Sequence, residues 1–229
     1  MKAKKLFHGS YRYPLILLVF LLPLLRAVPW GKELSGLFPY YALVFGGLRV
    51  GEDTNIFSIL LSIVPNLLIL YLFSNIMRED CEINYVYVFT RLGRKSKWLF
   101  QKTLLIFFQV FFTFLLLFLL AFVVGSLSGL RPQPLTAESL QAYPALFLCN
   151  AGTMFVLVLL QNVLSLRHGS TQAFLITLLL YIGSVIVAVV LYNTSNFGNA
   201  VLFFLPASTQ MYLWHMDSAA LPQMKDLFE

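Results

Sequence analysis

Between Thr103 and Gly125 the chain reads TLLIFFQVFFTFLLLFLLAFVVG, with no charged side chain anywhere in the run. A helix that crosses a bilayer needs about 20 such residues. In lipid its backbone N–H and C=O groups must be satisfied within the segment itself. A run this long and this apolar cannot lie on the surface of a water-soluble domain. Of the 229 residues, 59% are hydrophobic and only 11% charged, whereas soluble domains carry about 25% charged residues. The chain is therefore expected to be all-α, a polytopic membrane protein forming a single transmembrane domain over residues 1–229, with no soluble domain of any size.

Four further runs read as full spans, at about 13–30, 55–77, 144–166 and 173–192. The first follows a basic start, MKAKKLFHGSYRY, and its exit LLRAVPW lacks the small-x-small pattern of a signal-peptide cleavage site. Tyr11, Tyr13 and Trp30 bracket it as interfacial aromatics do, so it reads as a retained helix. Pro65 is expected to bend the second span, because proline lacks a backbone donor and collides with the preceding turn. The stretch 34–50 is apolar but broken by Gly36, Pro39, Gly46 and Gly47; it is expected at the outer surface as an interfacial or re-entrant piece. RHGSTQ, residues 167–172, is a tight polar turn. Residues 199–216, interrupted by Pro206, make a short sixth span or a re-entrant dip.

Charge sets the expected orientation. With the N-terminus cytoplasmic, Lys2, Lys4, Lys5 and Arg12 fall inside. So do Arg78, Arg91, Arg94, Lys95, Lys97 and Lys102 in the next inner loop, and Arg167 in the last. Arg26, Lys32, Arg49, Arg131 and Lys225 fall outside or near the outer rim. This is the cytoplasmic excess of Lys and Arg usual in membrane proteins. The formal charge of +6 thus belongs to membrane-flanking clusters and does not mark a nucleic-acid binder.

Little in the chain can carry chemistry. There is no G-x-x-x-x-G-K-[ST] phosphate cradle, so ATP hydrolysis is not expected here. His8, His168 and His215 lie in three different segments, which does not suit a metal site. No Asp or Glu falls within an assigned span, where proton-coupled carriers place one.

The informative element is the loop REDCEINYVYVFTRLGRKSKWLFQK, residues 78–102. Read as a helix, Tyr85, Val88, Phe89 and Leu92 share one face. Gly93 ends that helix, and Arg94 to Lys102 begin the next, with Trp98 at headgroup level. An aromatic-rich short helix, then R-x-G-x-x-[KR] and a Trp-containing helix start, resembles the first cytoplasmic loop of ABC-2 type permeases, the membrane subunits of ATP-binding-cassette exporters. Arg91, Gly93, Arg94 and Trp98 anchor the match. The resemblance implies that residues 82–93 form a coupling helix that docks on a separate ATP-binding-cassette ATPase subunit through Tyr85, Val88, Phe89, Arg91, Leu92, Gly93 and Arg94. It also implies that a second permease copy or a paralogue completes the path. ATP and Mg would be held by the partner subunit, and no cofactor or metal by this chain. A complete member of that family would have a sixth span.

Pro65, Asn66, Gln109, Asn150, Gln161 and Asn162 lie within spans, where they either line a cargo path or make hydrogen bonds between helices. Together these readings predict an exporter permease of the bacterial cytoplasmic membrane, moving an amphipathic or peptide-like cargo. Two alternatives stay open: a non-transporting sensor, immunity or assembly protein, and a secondary carrier.

Overall fold

The computed structural model describes residues 12–33, 37–45, 56–79, 81, 95–130, 137–194 and 210. All regular structure among them is helical. In chain order the helices are α1 Arg12–Glu33, α2 Leu37–Phe45, α3 Ile56–Leu72, α4 Lys95–Leu127, α5 Ala137–His168 and α6 Ser170–Thr194.

Among the described residues, three stretches are long and apolar enough to cross a membrane: Ser96–Leu127, Tyr143–His168 and Ser170–Val187. They coincide with the expected spans at 103–125, 144–166 and 173–192. This is a helical membrane protein. Of the other two expected spans, 13–30 lies wholly within α1, whose described apolar part is Tyr13–Pro29, and 55–77 comes out shorter, because α3 stops at Leu72. The chain continues through Pro65 as helix and is interrupted instead at 73–75, before one more turn at 76–79. Serine explains the site of the break. The Ser74 hydroxyl donates to Tyr71 O at 2.8 Å, and a side chain that bonds its own preceding turn competes with the helical ladder.

α5 runs antiparallel to α4. Phe107 meets Phe155 at a centroid distance of 5.4 Å, and Phe111 meets Phe147 at 5.6 Å. The paired phenylalanines of α4 divide between two roles: Phe107 and Phe111 pack inward, while Phe108 and Phe112 are exposed on the outer face. Between α5 and α6 stands the single residue Gly169, with φ +89°, so α6 turns straight back along α5. The far end of α4 closes with Gly129 at φ +81°. There Leu130 N–H donates to Gly125 O at 3.1 Å and Gly129 N–H to Ser126 O at 3.1 Å, the bonds of a glycine-terminated helix end.

α2 does not lie on the surface of the bundle. Leu37, Phe38, Tyr40, Tyr41, Ala42 and Phe45 are all buried, and the helix is wedged among α1, α4 and α5. Its rings build an aromatic cluster: Phe45 stacks on Phe118 at 4.1 Å and on Phe20 at 5.4 Å, and Tyr143 meets Tyr41 edge-on. Each such pair contributes about 0.5–1.5 kcal/mol beyond the area it buries. Gly125 on α4 makes room for the wedge, since a Cβ there would stand 3.3 Å from Leu37 Cδ1. The Tyr41 hydroxyl donates to Phe118 O at 2.8 Å.

Candidate functional site

Of the six intramembrane positions singled out above, Asn66 enters a polar cluster. It sits on α3 beside buried Pro65. Its Nδ2 donates to the Tyr181 hydroxyl at 2.8 Å and to Gln210 Oε1 at 3.3 Å. The Tyr181 hydroxyl in turn donates to Gln210 Oε1 at 2.9 Å. Three polar side chains from α3, α6 and the C-terminal segment thus meet inside an apolar bundle. Tyr181 and Gln210 are buried, and Gln210 Nε2 has no hydrogen-bond partner.

Asn150 and Asn162 serve the backbone. Asn150 Nδ2 donates to Phe45 O at 2.9 Å and to Leu146 O at 2.8 Å. It thereby satisfies a carbonyl at the end of α2, where the last turn lacks helical partners. Asn162 does something more specific. Met77 N–H donates to its Oδ1 at 3.0 Å, and its Nδ2 donates to Phe73 O at 2.7 Å. In an unbroken helix Met77 N–H would donate to Phe73 O directly. The Asn162 amide is inserted between the two, a recognised cause of helix interruption. For these two residues the interhelical role is the one their hydrogen bonds display.

The glutamines differ. Gln161 is 0% exposed, yet neither of its amide atoms has a partner. Gln109 Oε1 is likewise buried and unpaired. Burying an amide without a hydrogen bond costs about 1–3 kcal/mol on protein scales; the Tyr40 hydroxyl, Asn75 Oδ1 and Gln210 Nε2 are buried and unpaired as well.

The expected docking residues Tyr85, Val88, Phe89, Arg91, Leu92, Gly93 and Arg94 lie outside the described residues, as does all of 199–216 except Gln210. The flanks of the expected docking loop are described. Trp98, near the start of α4, is buried in the protein's own packing. Similarly, Tyr13 packs on Phe73 at 6.4 Å and on Phe112 at 5.7 Å.

Arg78, Lys95, Lys97, Arg167 and His168 fall at one end of the bundle. The antiparallel α4–α5 pairing fixes this, together with the contact of Arg78 at Gly169. A cavity of about 640 Å³ opens there, lined by Arg78, Cys81, Ser165, Leu166, Arg167, His168 and Gly169. A Cβ at Gly169 would stand 2.9 Å from Arg78 Nη1, so only glycine lets the guanidinium lie this close over the turn. Among the described residues no three His, Cys, Asp or Glu side chains gather as metal ligands would.

Neither Tyr181 nor Gln210 was singled out from the sequence. Tyr181 is the one hydroxyl-bearing ring in LITLLLYIGS, and that was the available signal. Compared with known proteins, residues 16–228 match a family model described as "Protein of unknown function (DUF2705)". No curated protein and no solved structure matches the chain.

Proposed function

The chain belongs to the DUF2705 family, whose function is unknown, and on the resemblance of residues 85–102 we propose that it is the permease subunit of an ABC-2 type exporter in the bacterial cytoplasmic membrane. The observation that carries this reading is the position of the bases that flank residues 82–94 in the sequence and close the last inner turn: Arg78, Lys97 and Arg167 stand at one end of the bundle. That is the end the excess of bases assigns to the cytoplasm.

In this reading a separate ATP-binding-cassette ATPase docks on Tyr85 to Arg94, and its closure on ATP pushes the loop. The push enters the turn 76–79, which Asn162 ties to α5 through Met77 and Phe73. It therefore moves α3 and α5 together. The Asn66–Tyr181–Gln210 cluster leaves Gln210 Nε2 without a protein partner in the bundle interior, which suits an amphipathic or peptide-like cargo. A second copy or a paralogue forms the other wall of the path.

A non-transporting membrane sensor, immunity or assembly protein is the second reading. It draws support from Asn162, whose amide is fully used in fixing helix backbone and leaves nothing for a cargo. Co-purification separates the two. A P-loop ATPase should come down with the wild-type chain and with an Arg26→Glu control, and be lost from Arg91→Glu/Arg94→Glu. Retention of the ATPase by the double variant would overturn the docking assignment. Absence of any ATPase from the wild type favours the second reading.

A further inference from the structure

We propose that the cavity at the α5–α6 turn binds the phosphate group of an anionic phospholipid. This is independent of whether the chain is an exporter. The cavity's volume, about 640 Å³, lies within the ~300–1,000 Å³ typical of small-ligand sites. Its charge has one sign: Arg78 and Arg167 line it together with His168, and no acid does among the described residues. Glu79, next to Arg78, is exposed and outside the lining. An arginine carries five N–H donors in a planar fork, so Arg78 can hold a protein neighbour on one edge and an oxyanion on another.

The start of α6 adds to this. Ala173 N–H is taken by Gly169 O at 3.0 Å, while the N–H groups of the residues before it belong to the first turn, which lacks intrahelical acceptors. Oxyanions are favoured at such a helix start, and α6 is 25 residues long. Basic pockets between membrane helices at the water boundary are suited to lipid headgroups.

A lipid is favoured over free phosphate by what leads into the cavity. Leu166 lines it and is exposed, and Val163, one turn back on the same face of α5, is exposed too. That apolar strip offers acyl chains a track that ends at Arg167, whereas a free ion would gain nothing from it.

The test uses the full chain in nanodiscs of phosphatidylcholine with and without phosphatidylglycerol, with retained lipid identified by native mass spectrometry after release into detergent. Wild type should retain phosphatidylglycerol in preference to phosphatidylcholine. Arg167→Gln, at an exposed position that leaves the packing intact, should reduce that retention about fivefold, the weight of one cation against an anionic membrane surface. Arg78→Gln should do the same, and Lys97→Gln, an exposed cation at the same end outside the cavity, should change nothing. An equal loss on Lys97→Gln, or no preference in the wild type, overturns the site in favour of diffuse attraction. If inorganic phosphate added to the mixed nanodiscs displaces the retained phosphatidylglycerol, the phosphate chemistry stands and the lipid source is overturned.

Discussion

Asn162 and Gln161 are adjacent on α5 and equally buried, yet they are opposite cases of a polar residue in an apolar interior. Every polar atom of the Asn162 side chain is used: Oδ1 by Met77 N–H, and Nδ2 by Phe73 O and Val158 O. Replacing it with leucine leaves a buried donor and acceptor of the interrupted helix unpaired, at about 1–3 kcal/mol. Asn162→Leu should therefore lower thermal stability clearly in detergent. Gln161 has nothing to lose, because neither amide atom is bonded. Gln161→Leu removes a desolvated amide and should raise stability by about 1 kcal/mol. A fall in both variants would show that Gln161 is paired in solution, by water or by cargo. The two residues look alike in the string LLQNVLSL. Only the partner helix, almost ninety positions earlier in the chain, tells them apart.

At the scale of the element, glycine at positive φ makes two of the helix ends possible, and the two positions differ in their surroundings. A Cβ at Gly129 would meet nothing within 4 Å, while at Gly169 it would meet Arg78 Nη1. Both Gly→Ala variants pay the left-handed backbone strain of about 1–2 kcal/mol. Gly169→Ala must also displace the guanidinium, so its melting temperature should fall further than that of Gly129→Ala. Equal losses would mean that Arg78 swings away freely. Long spans such as 103–125 were readable in the sequence because length and hydropathy alone define them. The interruption of α3 was not, since Pro65 is the stronger breaker on paper. The outcome was decided by Ser74 and by an amide from another helix. The wedge α2 was legible as a non-spanning piece, but its close approach to Gly125 of α4 is one that no local pattern connects to it.

The whole molecule is polarised. Arg78, Lys97 and Arg167 stand at one end, and Arg26 lies toward the other on α1, which runs alongside α4. Single-cysteine labels introduced as Lys97→Cys and Arg26→Cys in a Cys81→Ser/Cys149→Ser background should react from opposite faces of the membrane. Lys97→Cys should be reached by an impermeant reagent only in inside-out vesicles. Labelling of both from one side would refute the orientation and the docking proposal with it. The charges and periodicity of residues 78–102 are plain in the sequence, while the expected docking residues within that stretch lie outside the described ones. The Asn66–Tyr181–Gln210 meeting was half legible: the asparagine stood out, but the convergence of three distant segments is a property of the tertiary fold.

Gly169 is the whole of the connection between α5 and α6. A joint one residue long holds no slack, so neither helix can slide or rotate by much without dragging the other. They must travel as a single stiff paddle.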